Sequence, residues 1–178
     1  VSLYEPLCDF YRANVNEQYD QGSVPGMTTE PALSAELLAG ASAYTDTAVI
    51  VLSRFSGEGW DRSSIEYNGE YNPWETETSM PKISGEIFPD GDFYLTKEES
   101  TMIAQVKQHF SRIAVVLNIG GIIDTSWIKN DDQISSALIA WQGGMEGGFA
   151  AADVLTGKVN PSGRLTDTIA RRYEDYPS

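Results

Sequence analysis

Apolar residues along the chain fall alternately into short continuous runs and into longer segments with helical spacing. Three runs contain many β-branched residues and little polar alternation: "TAVIVLS" (47–53), "RIAVVLNI" (112–119) and "SALIAW" (136–141). Such runs are typical of parallel strands that are covered on both faces. They predict parallel strands with helices between them, and this alternation is typical of an α/β domain.

The segments with helical spacing predict helices that cover this sheet. Residues 1–14 carry apolar residues on one side, and "SAELLAGASAY" begins with Ser34 as an N-cap. "TKEESTMIAQVKQHF" begins at Thr96 with Glu99 three residues later, which is the signature of a capping box. "MEGGFAAADVLTG" predicts a further helix that ends at Gly157.

Residues 54–93 do not follow this alternation of strands and helices. The stretch contains five glycines, three prolines and many polar residues, without a helical period. It contains too many aromatic side chains for a solvated linker, among them Trp60, Tyr67, Tyr71, Trp74, Phe88 and Phe93. Long irregular segments in compact domains are often functional. We therefore expect this one to fold over the carboxyl ends of the strands, where open α/β sheets bind ligands.

Within this stretch, Glu58 is the candidate for acid/base chemistry. It lies in "SRFSGEGWDR" (53–62), between two glycines and directly after a predicted buried strand. Flanking glycines permit backbone conformations and close approaches that side chains would block. Partial burial beside Trp60 would raise the pKa of the carboxyl group toward the working pH of a general acid. From the residues alone, a solvated loop carboxylate remains the alternative.

The composition excludes several classes of partner and cofactor. The 26 acidic and 12 basic residues give a formal charge of −14, which repels phosphate backbones and anionic membrane surfaces. No run approaches the roughly 20 apolar residues of a membrane helix. Cys8 and His109 are the single cysteine and histidine, so neither a Cys/His zinc cluster nor a Ser-His-Asp or Cys-His arrangement is expected. We expect no nucleic acid, membrane, metal or other cofactor.

The turn "WQGGMEGGFAAADVL" raises a nucleotide-binding alternative, because its glycines lie between a predicted strand and a predicted helix. It lacks the G-x-x-x-x-G-K-[ST] pattern and does not match G-x-G-x-x-G. Glu146 also lies where it would repel a phosphate at the start of the helix. Close packing of the strand and the helix is the preferred interpretation.

Four separated blocks resemble, in this order, the second domain of glycoside hydrolase family 3. They are "AVIVLSRFSGEGWDR", "GDFYLTKEE", "AVVLNIGGIIDTSW" and the final block "ALIAWQGGMEGGFAAADVLTGKVNPSGRLTDTIARRYEDYPS". The resemblance covers about residues 34–178. It implies an α/β fold, a three-layer α/β/α sandwich with a mostly parallel, flavodoxin-like sheet. It also implies that residues 1–178 form a single domain of this C-terminal type, truncated at its N-terminal edge, without the family's catalytic (β/α)8-like domain.

The resemblance further implies a retaining, exo-acting β-glycosidase whose site is shared between two domains. In many members the acid/base is the glutamate of an "SGEG" loop on this domain, which maps to Glu58 here, with Trp60 contributing to sugar binding. The nucleophilic aspartate belongs to the (β/α)8-like domain. Retaining enzymes hold their two carboxyl groups about 5 to 5.5 Å apart, so Glu58 must project across the domain interface.

The expected partners are thus a sugar or oligosaccharide and the missing (β/α)8-like domain of the same protein. The chain alone should be inactive, because it lacks the nucleophile. Glu70 and Glu86 lie in the same loop and are the next candidates if Glu58 does not act. A noncatalytic carbohydrate-binding or scaffold module of the same fold is the alternative function.

Overall fold

The computed structural model describes residues 32–54 and 88–176. The described residues divide between two compact units. Residues 32–54, 88–139 and 169–176 form the sheet unit, and residues 140–168 belong to the helix unit. The predicted helix over residues 1–14 and Cys8 lie outside the described residues.

The sheet unit is built on three parallel strands in the order β1-β2-β3. They are β1 (Thr47–Arg54), β2 (Arg112–Ile119) and β3 (Ile134–Ile139). β1 and β2 pair without a break from Thr47 opposite Arg112 to Arg54 opposite Ile119. β2 and β3 pair with one irregularity between Ile113 and Ala114. The parallel α/β fold predicted from the apolar runs is confirmed.

The described part of the sheet unit also contains three α-helices: α1 (Ala35–Tyr44) before β1, α2 (Lys97–His109) between β1 and β2, and α3 (Ser126–Lys129) between β2 and β3. Both predicted N-caps are confirmed. The Ser34 hydroxyl accepts a hydrogen bond from the backbone N–H of Leu37 at 3.1 Å. Thr96 and Glu99 form the complete capping box, which satisfies backbone donors that the start of a helix leaves unpaired. A short 3₁₀ helix, Tyr173–Asp175, follows near the end of the chain.

The core of the sheet unit lies between the sheet and the apolar sides of α1 and α2. Alternate residues of the strands supply one side of it, namely Ile50, Leu52, Ile113, Val115, Leu117 and Ile119. The helices supply Leu38, Met102, Ile103 and Val106. The spacing of two along the strands and of three or four along α2 explains why these residues meet.

The third strand differs from its prediction. The apolar pattern predicts residues 136–141, whereas β3 covers Ile134–Ile139. Trp141 has a φ of 54°, in the left-handed region that a bulky residue rarely adopts, so extended structure cannot continue through it. Residues 135–137 are exposed, which also departs from the expectation that every strand is covered on both faces.

The helix unit contains α4 (Gly147–Leu155). The predicted end of this helix is confirmed, since Gly157 has a φ of 75° and its N–H donates to the carbonyl of Val154 at 3.0 Å. In the preceding turn, a Cβ on Gly143 would lie 2.7 Å from the Cα of Gly147. The glycine is therefore required by a close approach between the turn and the first residue of the helix. In the described ranges of both units, no helix has the length and apolar character needed to cross a bilayer.

Candidate functional site

The carboxyl edge of the sheet is the candidate functional region, because β1 and β2 both end there. The backbone N–H of Gly120, just after β2, donates to the carbonyl of Arg54 at the end of β1 at 3.3 Å. The predicted site residues Glu58 and Trp60 follow Arg54 in the chain and lie outside the described residues, as do Glu70 and Glu86. The structure describes the residues that precede and follow this stretch.

A buried ion pair joins β1 to α2 at this edge. Arg54 is the last residue of β1 and is 2 % exposed. Its Nη1 and Nη2 atoms donate to the Oε1 and Oε2 atoms of Glu99 at 2.6 and 2.7 Å. This fork-to-fork geometry is the strongest type of side-chain hydrogen bonding available to an arginine. It holds the end of the strand against the first turn of the helix.

The same guanidinium binds the segment that returns to the sheet before α2. Arg54 Nε donates to the carbonyl of Asp92 at 2.9 Å, and Nη2 donates to the carbonyl of Tyr94 at 3.1 Å. Its Cζ atom lies 4.3 Å from the centre of the Phe88 ring, a cation–π geometry. The point where the chain leaves β1 and the point where it returns are therefore held by one side chain.

Besides binding Arg54, Glu99 caps the start of α2. Its Oε2 atom accepts from the backbone N–H of Thr96 at 2.8 Å, while the Thr96 hydroxyl accepts from the Glu99 N–H at 3.1 Å. A carboxylate in the first turn also interacts favourably with the positive end of the helix dipole. One buried carboxylate thus serves both the helix start and Arg54.

Aromatic rings pack beside the contacts that Arg54 and Glu99 make. The Phe93 ring lies edge to face against Tyr94, Tyr173 and Tyr176, with centroid distances of 4.9, 5.2 and 6.1 Å. The Phe93 carbonyl accepts from the backbone N–H of Asp124, after β2, at 2.9 Å. These contacts attach the returning segment both to the loop after β2 and to the last residues of the sheet unit, and such aromatic pairs are favourable beyond their buried area.

Charged pairs at the opposite edge of the sheet have a different character. Asp46, just before β1, accepts from Arg112 at the start of β2, and this hydrogen bond holds the pKa of the Asp46 carboxyl below its usual value. Lys107 donates to Asp131, and this bond lowers the pKa of Asp131. These pairs are partly or largely exposed, which is typical of groups that tie elements together at a surface.

Within residues 32–54 and 88–176, no group of three or more His, Cys, Asp or Glu side chains is arranged to hold a metal ion. His109 lies in α2, as predicted. Its Nδ1 atom is 2.9 Å from the carbonyl of Gln105, one turn earlier in the same helix. The interaction is local to that turn.

Sequence reasoning missed the ion pair between Arg54 and Glu99. The signal was a charged residue at the end of an otherwise apolar run, followed by glycines. The sequence pattern around Glu99 predicts only its local capping role. The partners are 45 residues apart, so no local spacing could have paired them.

Comparison with known proteins identifies the family. Residues 11–178 match the family described as "Glycosyl hydrolase family 3 C-terminal domain". Beta-glucosidase A of Butyrivibrio fibrisolvens is 53% identical over 178 residues, which is 100% of this chain and 21% of that protein. A beta-glucosidase of Ruminococcus albus is 33% identical over 185 residues, covering 100% of this chain and 17% of that protein. The chain spans about a fifth of the length of these relatives.

Solved structures show the same relationship. A beta-glucosidase from Paenibacillus barengoltzii superposes with a TM-score of 0.67 and 31% identity over 98% of this chain and 17% of that one. Beta-glucosidase 3B from Thermotoga neapolitana, solved in complex with glucose, superposes with a TM-score of 0.68 and 31% identity over 97% of this chain and 22% of that one. The chain therefore belongs to glycoside hydrolase family 3 and corresponds to the C-terminal domain of that family.

Proposed function

We propose that this chain is the part of a retaining, exo-acting β-glycosidase that supplies the general acid/base, Glu58. One observation carries the proposal. β1 ends at Arg54 on the carboxyl edge of a parallel sheet, so the chain that bears Glu58 leaves the sheet at the edge where such folds bind ligands. The relatives from Butyrivibrio fibrisolvens and Ruminococcus albus are both named beta-glucosidases, which favours a β-glucoside as the substrate.

In the first step, the protonated carboxyl group of Glu58 donates its proton to the glycosidic oxygen as the bond to the anomeric carbon breaks. A carboxylate from a (β/α)8-like domain of the same protein forms a bond to that carbon, and the protonated leaving group departs. Trp60 is proposed to contact the sugar. Both roles are assigned from the sequence pattern and the family.

In the second step, the Glu58 carboxylate takes a proton from water as the water oxygen attacks the anomeric carbon. The bond to the nucleophilic carboxylate breaks, the sugar is released with its original anomeric configuration, and Glu58 is protonated again. The scheme requires two carboxyl groups and water, and it calls for no cofactor.

The test is Glu58→Gln in the full-length protein, with Glu70→Gln and Glu86→Gln as matched controls. We expect hydrolysis of a disaccharide to fall by roughly 10²- to 10⁴-fold, the usual contribution of a general acid. A 2,4-dinitrophenyl β-glucoside should be much less affected in its first step, because its leaving group needs no protonation.

Azide provides an independent readout. It attacks the anomeric carbon of the glycosyl-enzyme without a general base, so it should accelerate turnover of the activated glucoside by Glu58→Gln and yield a glycosyl azide. A loss of less than about tenfold on the disaccharide would remove Glu58 from the role. Full activity in all three variants would favour the noncatalytic carbohydrate-binding or scaffold function.

A further inference from the structure

Arg54 occupies a point of the chain from which it can influence the proposed catalytic group. It ends β1 and precedes Glu58 by four residues. Four residues of chain span at most about 14 Å. The position of the backbone at Arg54 therefore limits how far from the end of β1 the backbone of Glu58 can lie.

Several hydrogen bonds of the Arg54 side chain hold the chain at this point. Besides the two bonds to Glu99, Arg54 Nη1 donates to the carbonyl of Ser53, the preceding residue in β1, at 2.9 Å. The guanidinium therefore folds back along its own strand while it binds α2. It also donates to the carbonyls of Asp92 and Tyr94, and these bonds fix the segment that returns to the sheet before α2.

The ion pair of Arg54 and Glu99 is suited to fixing the relative positions of β1 and α2, and not only to stabilising the fold. The side chains of Arg54 and Glu99 are only 1% and 8% exposed, and a buried ion pair is often no more stabilising than well-packed apolar residues of similar volume. What an arginine adds is a planar fork of donors with fixed directions. Such a fork defines the relative placement of the groups it binds more narrowly than apolar contacts do.

We propose that Arg54 is a positioning residue for Glu58. By joining the end of β1 to Glu99 and to the carbonyls of the returning segment, it fixes the base from which the acid/base is presented to the glycosidic oxygen. This inference rests on the proposed function of Glu58. Misplacement of a catalytic group by about 1 Å can lower a rate by roughly 10²-fold, so the contact is expected to affect catalysis without touching the substrate.

The test compares Arg54→Lys and Glu99→Gln with Arg112→Lys in the full-length protein. Arg112 is the matched control, because it also binds both oxygens of a carboxylate, those of Asp46 at 3.0 and 2.9 Å, but at the opposite edge of the sheet. For each variant, kcat/KM is measured on phenyl β-glucoside, whose leaving group needs protonation, and on 2,4-dinitrophenyl β-glucoside, whose leaving group does not.

The ratio of these two kcat/KM values is the deciding quantity. It does not depend on the concentration of active enzyme, so a partly unfolded variant still gives an answer. We expect Arg54→Lys and Glu99→Gln to lower the ratio of phenyl to dinitrophenyl activity by about tenfold or more, a part of the full contribution of a general acid. Arg112→Lys should leave it unchanged.

Glu58→Gln, measured in parallel, separates the two proposals. If it lowers the ratio strongly while Arg54→Lys and Glu99→Gln leave the ratio as in the unmodified protein, Arg54 has a structural role only and this inference is overturned. If Glu58→Gln itself leaves the ratio unchanged, the proposed function fails and this inference fails with it.

Discussion

Arg54 and Thr96 donate to the same oxygen atom. The Oε2 atom of Glu99 accepts from Nη2 of Arg54 at 2.7 Å and from the backbone N–H of Thr96 at 2.8 Å. The end of β1 and the start of α2 are thereby linked through one carboxylate. Removing any member of the set leaves another buried polar group without its partner, which is more costly than the loss of an average hydrogen bond.

Replacing Arg54 by methionine should lower the free energy of unfolding by about 3–5 kcal/mol, because the carboxylate of Glu99 would stay buried without its cation. The double variant Arg54→Met/Glu99→Met should be much less destabilised than the sum of the two single variants. Urea denaturation of all four proteins gives the coupling energy. Additive effects would show that the two side chains act independently.

Thr96→Ala should destabilise the protein by about 1 kcal/mol, the usual cost of losing a helix N-cap. The Thr96 hydroxyl accepts from the Glu99 N–H, and serine offers the same oxygen. Thr96→Ser is therefore the control, and thermal denaturation should place it close to the unmodified protein. An equal loss in both variants would assign the effect to the methyl group of Thr96 and not to the cap.

The pair of Lys107 and Asp131 predicts a pH dependence of stability. Its hydrogen bond lowers the folded-state pKa of Asp131 below the unfolded value of about 3.9. The stabilisation is therefore fully present above about pH 4 and is lost as the pH falls through the folded-state pKa. Because the Lys107 side chain is a third exposed, the expected contribution is only about 0.5–1 kcal/mol.

Asp131→Asn isolates this contribution, since an asparagine oxygen can still accept the hydrogen bond that Asp131 Oδ1 receives from the N–H of Gln133. Urea denaturation should show the variant to be less stable than the unmodified protein at pH 7 and to approach it near pH 2. A difference that stays constant over this range would mean that charge is not its source.

The isolated chain of 178 residues should release no sugar from an aryl β-glucoside, because the proposed nucleophile lies outside it. The measurement is nitrophenol release by highly purified chain, beside the full-length protein at equal concentration. Turnover by the isolated chain that disappears in its Glu58→Gln variant would contradict a site shared between domains.

Local chemistry accounts for the parts of the fold that the sequence predicts well. The capping box of Thr96 and Glu99 and the glycine end of α4 at Gly157 depend on residues a few positions apart, so a short pattern is sufficient. The shifted end of β3 depends on the backbone of Trp141. A positive φ at a tryptophan is imposed by its surroundings and leaves no mark in the apolar pattern.

Only part of the candidate site can be predicted from the sequence. Glu58 is recognised through its glycine-flanked position and through the family resemblance, and its role stays a prediction. The hydrogen bonds that the Arg54 side chain makes to Glu99 and to the returning segment could not be predicted from the sequence, because these partners lie 38 to 45 residues later in the chain. Contacts of that kind are decided by how the strand and the helix pack, which no single segment encodes.

Strands β1 and β2 are apolar on both faces over much of their length, so hydrophobic contact alone discriminates poorly between their correct pairing and one shifted by a single residue. Arg54 removes this ambiguity. It lies on the same side of β1 as Ile50 and Leu52, and a shift of one residue would turn its charge to the other face of the sheet, away from Glu99. A sheet paired in the shifted register would bury an unpaired cation, which costs several kcal/mol, so the arginine favours the observed register over its nearest alternative.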